Sequence, residues 1–206
     1  MRSKMRYGVF LLAVLVLVLG GCQKENAVRM YLPVVEEHDG EEVFFSFIYL
    51  NDDEVPELVA WDSYYEKYYV YTIKDGSAVC LVDGMGTVEM TYYEKKNVIA
   101  VFSRWNGGGD EGGYASTYYQ LDQYAEAVTD DSIPSFQDSY QAVYDENGEW
   151  TGTGITDYYE KGKEIDEAGY RQLAVDFGIA ESERVSCFGE ESFTKDELLT
   201  YIDALK

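Results

Sequence analysis

Short runs of β-branched and aromatic residues, separated by turn signals, fill most of the chain after residue 42. Tyr, Val, Ile, Phe and Thr favour strands, while Asp75-Gly76 and Lys95-Lys96-Asn97 are typical of hairpin turns. Short strands joined by such turns favour an antiparallel meander. The predicted strands are Val43–Leu50, Glu57–Trp61, Lys67–Lys74, Ser77–Val82, Thr87–Glu94, Val98–Trp105, Tyr114–Asp122, Gln123–Val128, Phe136–Tyr144 and Trp150–Tyr159.

Helical patterns flank these strands. Residues 26–38 carry apolar side chains at helical spacing that Pro33 interrupts, which predicts a short or broken helix. From Asp166, a plausible N-cap, the period changes to that of a helix ending at Gly178. Thr194 and Glu197 form a capping-box pattern before a final helix. We therefore predict an α+β, mainly β fold: an antiparallel β-meander or small barrel-like sheet with a short N-terminal helix and C-terminal helices over about residues 166–206.

The first residues have the pattern of an export signal. Basic residues precede the apolar run Val9–Leu19, whose eleven residues are too few to span a membrane as a helix but suit a signal peptide. Leu19-Gly20-Gly21-Cys22 follows, and it resembles the lipobox of bacterial lipoproteins. In that class the cysteine carries a thioether-linked diacylglycerol, and acyl chains hold the protein at the membrane.

The expected organisation follows from this leader. Residues 1–21 form the signal peptide, Cys22 is the lipidated residue, residues 22–27 are a tether, and residues 28–206 form one domain. The expected location is the extracytoplasmic face of the cell membrane. Export permits a disulfide between Cys80 and Cys187, but two buried free thiols fit their apolar contexts equally well.

The chain is strongly acidic, with 39 Asp and Glu against 16 Lys and Arg and a formal charge of −23. Cleavage before Cys22 would remove three basic and no acidic residues, which leaves −26. Nucleic-acid binding depends on neutralising phosphates with basic side chains, so a nucleic-acid partner is excluded. An acidic surface keeps an exported protein soluble, or gives it affinity for divalent or cationic partners.

One loop has a partial calcium-binding pattern. Asn51, Asp53 and Glu57 occupy positions three, five and nine of a loop in which oxygen ligands converge on the ion. Tyr49 replaces the first acidic ligand and Glu54 replaces the glycine of the sharp turn. The loop is therefore degenerate, and the alternative is a turn capped by Asn and Asp side chains. Calcium is the one cofactor that the sequence suggests.

The run FIYLNDDEVPELVAW resembles the DxDxDGxPEL segment of uncharacterised lipoproteins of gut Firmicutes, itself similar to the calcium loops of integrin-type propellers. The passage YYEKGKEIDEAGYRQLAVDFG is similar to a hairpin-to-helix passage in the same lipoproteins. This resemblance covers most of the chain after the leader. It implies a lipid-anchored extracytoplasmic protein, and it brings no activity with it.

Catalytic groups are sparse. His38 is the only histidine and is expected in an exposed loop, so a nucleophile–histidine arrangement is not supported. Trp105, beside the glycine loop 107–113, is a candidate for stacking on a ligand. Adjacent tyrosines such as Tyr92-Tyr93 should place one ring of each pair outward. The sequence favours a non-enzymatic binding module for a protein, peptide or glycan. The alternatives are a calcium-stabilised structural or sensing domain and, third, a cell-envelope hydrolase with paired carboxylates.

Overall fold

The computed structural model describes residues 25–38, 40, 42–53, 55–106, 112–121, 135–189 and 192–205. Antiparallel strands dominate these residues, with a short helix near the start and helices near the end, so the predicted α+β, mainly β class is confirmed. The described strands form two open sheets, and neither closes into a barrel. The predicted leader, Cys22, the start of the tether and the predicted strand Gln123–Val128 lie outside the described residues.

The smaller sheet contains the strands that surround the acidic loop. It has five strands in the order β12-β1-β2-β3-β4, and every neighbouring pair is antiparallel. Strands β1 to β4 follow one another along the chain, as a meander requires, whereas β12 comes from the C-terminal region. Their bounds are β1 Val43–Ile48, β2 Glu57–Asp62, β3 Lys67–Lys74, β4 Ser77–Gly86 and β12 Phe193–Thr194.

The larger sheet continues the meander. It has seven strands in the order β10-β9-β8-β7-β6-β5-β11. Only β11 breaks the sequential order, because it returns from the C-terminal region to pair with β5. Their bounds are β5 Glu89–Tyr93, β6 Val98–Asn106, β7 Gly112–Gln120, β8 Ser135–Tyr144, β9 Trp150–Glu160, β10 Lys163–Ile165 and β11 Val185–Ser186.

Three described helices are α1 (Leu32–Glu37), α2 (Glu167–Asp176) and α3 (Lys195–Ala204). Residues 25–30 are also helical, including the last residues of the predicted tether. The caps follow the sequence: the Asp166 side chain accepts from Gly169 N, and Thr194 with Glu197 forms the complete capping box. The Arg29 guanidinium donates to the carbonyl oxygen of Leu205, which joins the N-terminal helical segment to the end of α3.

The helices and sheets stack in four layers. Side chains of α1 and α3, including Val35, Leu198 and Ile202, pack on one face of the smaller sheet. Its other face packs on the larger sheet through a second cluster that includes Val70 and Ile99. The far face of the larger sheet is partly covered by the segment around α2, through a third cluster.

These layers explain why one expectation was wrong. Tyr92 and Tyr93 are both buried, although neighbouring strand residues point to opposite faces. β5 is covered on both faces: Tyr92 lies in the cluster between the sheets and Tyr93 in the cluster beside α2. The paired tyrosines at 64 and 65 are both exposed, because they lie in the β2–β3 turn rather than in a strand.

One end of the larger sheet extends beyond this core. None of residues 137–176 is a buried core residue, and residues 150–156 of β9 are all exposed. Cross-strand pairing holds β8 and β9 together here. The structure thus presents a part of the larger sheet that no helix or second sheet covers among the described residues.

Candidate functional site

The acidic loop between β1 and β2 is organised around Glu57. This residue opens β2 and is only 1% exposed. Its Oε2 accepts from the backbone N–H of Leu50 at 2.9 Å, and its Oε1 accepts from Asn51 Nδ2 at 3.1 Å and Thr72 Oγ1 at 3.4 Å. A buried carboxylate must find such donors because leaving it without partners is costly.

Asn51 and Asp53 cap the turn itself. The Asn51 Oδ1 accepts from Asp53 N at 2.8 Å, and the Asp53 Oδ1 accepts from Val55 N at 2.9 Å. These are the side-chain-to-backbone bonds of successive Asx turns. The structure therefore brings Asn51 and Glu57 into direct contact and gives Asp53 a turn-capping bond. The oxygen of Asn51 is used within the turn, and its NH₂ group faces Glu57.

The Glu57 carboxyl has a raised pKa. Burial raises its pKa from 4.5 to about 7, and the nearby negative charge of Asp53 adds to this, while the bond from Leu50 N opposes it. Among the described residues, no three His, Cys, Asp or Glu side chains group as a metal site. Calcium binding by this loop stays a prediction.

The loop also joins the two sheets. The backbone oxygens of Tyr49 and Leu50 accept from Lys95 N at 2.9 Å and Asn97 N at 2.6 Å, in the β5–β6 turn of the larger sheet. On the other side, the Tyr31 hydroxyl donates to the Pro56 oxygen at 2.8 Å. The acidic loop is thus a structural junction.

His38 is half-buried rather than exposed. Its Nε2 lies 2.9 Å from the Tyr71 hydroxyl, and its ring packs among Phe45, Tyr69 and Tyr71. Burial is the main cause that lowers its pKa. The only histidine therefore has a packing role at the end of α1, which its acidic sequence neighbours did not indicate.

Trp105 lies at the uncovered end of the larger sheet, 38% exposed. It pairs with Gly113, and a Cβ on that glycine would lie 2.4 Å from Trp105 Cζ2, so the indole covers the glycine backbone. The glycine loop residues 107–111, between these two positions, lie outside the described residues. The predicted stacking residue is therefore accessible, and its ring partly covers its own sheet.

A row of aromatic side chains follows the opposite face. Tyr114 pairs with Tyr140, and their rings stack at 5.1 Å between centroids; Phe102 packs on Tyr114 at 5.5 Å. Tyr144 lies four residues after Tyr140 on β8 and pairs with Trp150, beyond a register shift between Ala142 and Tyr144, and these two rings extend the row. We call Phe102, Tyr114, Tyr140, Tyr144 and Trp150 the aromatic face.

The aromatic face is substantially open to solvent. Trp150 is 60% exposed and Tyr114 is 39% exposed. The Tyr140 ring lies over Gly154, where a Cβ would be 2.1 Å from its Cζ atom. Our sequence prediction singled out Trp105 and missed these residues. The signal that could have identified them is the glycine at 154 opposite a strand rich in tyrosine.

Exposed acidic side chains adjoin one end of this face, in the β8–β9 turn. Residues 105–160 contain twelve acidic and no basic residues. Among them, Asp145, Glu146 and Glu149 lie in the β8–β9 turn and are exposed, immediately before Trp150. Asp145 organises this turn by accepting from Asn147 N and Glu149 N, bonds that lower its pKa.

No family model, no curated protein and no solved structure matches this chain. No helix among the described residues has both the length and the apolar character needed to cross a membrane.

Proposed function

We propose that this protein is a lipid-anchored binding module on the extracytoplasmic face of the cell membrane, without enzymatic activity, that holds a protein, peptide or glycan. The observation that carries the proposal is the aromatic face. Large aromatic side chains that remain exposed on a sheet without a covering layer favour a binding surface over a packing surface.

The anchor rests on the leader pattern and the lipobox-like Leu19-Gly20-Gly21-Cys22. A strongly negative chain gains nothing from an anionic lipid surface, so acyl chains on Cys22 would supply the attachment. Metabolic labelling with an alkyne-tagged fatty acid, followed by comparison with Cys22→Ser, tests this part. The labelled wild type and an unlabelled variant are expected, whereas equal labelling would contradict the anchor.

The state of the reactive groups supports a binding role. His38 is packed among aromatic rings, and burial raises the pKa of the Cys80 thiol to about 11 and keeps Cys187 protonated as well. A thiol with a raised pKa is a poor nucleophile at neutral pH. The burial of these three groups supports the proposal of a binding module over that of an enzyme with an activated nucleophile.

Array screening tests the binding proposal. The full chain, purified in non-ionic detergent, is applied to peptide and glycan arrays beside Tyr114→Ala and Trp150→Ala. We expect selective signals that both variants weaken. Tyr64→Ala is the matched control, because Tyr64 is 72% exposed in the β2–β3 turn and is not part of the aromatic face. Silence on both arrays, together with turnover of an envelope substrate, would overturn the proposal.

A calcium-stabilised structural or sensing domain is the second candidate. It is favoured by the presence of the oxygen-bearing side chains of Asn51, Asp53 and Glu57 in the same loop. Calcium at 100 times its dissociation constant would add about 2.7 kcal/mol to the free energy of unfolding. A melting temperature that rises with calcium in the wild type, but not in Asp53→Asn, would support this candidate; equal melting in calcium and chelator would remove it.

A further inference from the structure

The negative charge near the aromatic face determines which class of ligand this face can attract. Every charged side chain between residues 105 and 160 is acidic, within a chain whose formal charge is −23, and the exposed Asp145, Glu146 and Glu149 lie in the described β8–β9 turn. A field of one sign attracts the opposite charge and repels its own. Anionic ligands are therefore disfavoured here, and a cationic partner is attracted.

Aromatic rings add a second, short-range attraction for cations. Arg and Lys side chains placed over Trp or Tyr rings are attracted by the negative face of the ring, even at exposed sites. Trp150 is the most exposed ring of the aromatic face, and Glu149 precedes it directly. The exposed carboxylates of Glu146 and Glu149 thus lie in the turn that leads into Trp150, at the edge of an uncovered part of the sheet.

We propose that the aromatic face and the adjoining carboxylates of Glu146 and Glu149 bind a Lys- and Arg-rich peptide segment of a partner protein. This inference rests on the proposed binding function and names its partner class. The basic side chains stack on Trp150 and Tyr114, and the carboxylates of the turn compensate their charge. A peptide suits the site because several cations spaced along one chain can meet a row of rings and carboxylates together.

The positive charge of Arg104 distinguishes a cationic from an anionic partner. It is exposed on β6 and pairs with Tyr114, so it lies on the same face as the aromatic row. Its charge opposes a cationic partner and would assist an anionic one. Removing this charge therefore changes affinity in opposite directions for the two kinds of partner.

The test uses a fluorescein-labelled ten-residue peptide of alternating Arg and Ser, with a Glu-Ser peptide of equal length as its counterpart. Binding to the full chain in non-ionic detergent is followed by fluorescence anisotropy. We expect the basic peptide to bind at least about ten-fold more tightly than the acidic one, and to weaken as salt screens the charges. Arg104→Gln should tighten binding of the basic peptide by about two-fold.

Substitutions at the site separate ring from charge. Trp150→Leu keeps an apolar side chain but removes the π-system, and it should weaken binding about three-fold, while Trp150→Phe retains part of the affinity. Glu146→Gln combined with Glu149→Gln should also weaken binding about three-fold at low salt. Asp203→Asn, at an exposed position of α3, is the matched control and should bind as wild type. Far-ultraviolet circular dichroism confirms that each variant is folded.

Equal affinity of the protein for the two peptides would overturn the inference. So would a loss of affinity in Asp203→Asn equal to that of the Glu146→Gln and Glu149→Gln double variant. If array hits are neutral glycans that Trp150→Leu abolishes, the binding function survives and the cationic partner fails. If both arrays are silent and an envelope substrate is turned over, the proposed function fails, and the cationic partner fails with it. Concentration-dependent dimers that Trp150→Leu dissociates would assign the face to a second copy of the chain and reject a basic peptide.

Discussion

The side-chain amide of Asn51 donates to the buried Glu57 carboxylate at 3.1 Å. Leu50 N and Thr72 Oγ1 donate to the same carboxylate, so one acidic group orders the β1–β2 loop from within. Because the loop also bonds to the β5–β6 turn through the oxygens of residues 49 and 50, Glu57 supports the contact between the two sheets.

Folding stability should therefore fall as the pH rises towards neutrality. Glu57 has a pKa of about 7 in the folded chain against 4.5 without its surroundings, so the folded state binds more protons between these values. The contribution of Glu57 to the free energy of unfolding is fully present below pH 4.5 and is lost as the pH rises through 7. This loss amounts to about 3 kcal/mol. Urea unfolding at pH 5 and pH 8 measures it.

Glu57→Gln is the control for this pH dependence. Gln keeps an oxygen that can accept from Leu50 N but does not titrate, so the difference in unfolding free energy between the two pH values should shrink by about the same amount. Other carboxylates contribute equally to both proteins and cancel in the comparison. An unchanged pH difference in the variant would contradict the role given to Glu57.

Gly154→Ala should disturb the aromatic face. Its Cβ would lie 2.1 Å from the Tyr140 ring, so this ring must move and its stacking on Tyr114 changes. We expect the free energy of unfolding to fall by about 1–3 kcal/mol. Amide exchange in β9 should become faster, and the near-ultraviolet circular dichroism spectrum should change. Gly86→Ala is the matched substitution, since nothing lies within 4 Å of the added Cβ; similar effects in both variants would argue against the Tyr140 contact.

Thr194→Ala should weaken the attachment of α3. The Thr194 side chain accepts from Glu197 N, and Glu197 accepts from Thr194 N in return. Losing an N-cap costs about 1 kcal/mol, and α3 contributes the buried Leu198 to the core. Chemical denaturation measures the loss. The exposed Ser192→Ala should leave the stability unchanged, and an equal loss there would show that the cap is not its source.

The two described cysteines should react with iodoacetamide in a fixed order. Both are free thiols, Cys80 half-buried and Cys187 only 2% exposed, and burial raises the pKa of each. We expect slow alkylation of Cys80 in the native protein, none of Cys187, and rapid alkylation of both in urea. Peptide mass spectrometry reads each site. Alkylation in urea that requires prior reduction would instead indicate a disulfide.

Local signals predicted the strands well because their turns are chemically distinctive. The predicted strand Lys67–Lys74 has the observed bounds, and the Asp75-Gly76 turn that follows it has positive φ at both residues. The division into two sheets could not be predicted, because the sequences of β4 and β5 do not show that these consecutive strands belong to different sheets. The two-residue strands β11 and β12 exist only through pairing with distant strands.

The candidate sites also depend on tertiary contacts that the local sequence does not reveal. The sequence indicates that Asn51, Asp53 and Glu57 lie close together along the chain at the β1–β2 loop, but the burial of Glu57 depends on the second sheet and on the segment near Tyr31. Trp105 was identified by its position at a loop. Tyr114, Tyr140 and Trp150 become a surface only through the register of β7, β8 and β9, including a shift between Ala142 and Tyr144 that the local sequence does not reveal.

The bond from Arg29 to the Leu205 carbonyl brings the two ends of the described chain together, and their helices share one apolar cluster. Adjacent ends permit circular permutation. A short linker across this junction, with the chain opened in the β8–β9 turn, should preserve both sheets. Such a permutant would carry its new termini beside Trp150, where a fused fluorescent reporter could respond directly to occupancy of the aromatic face.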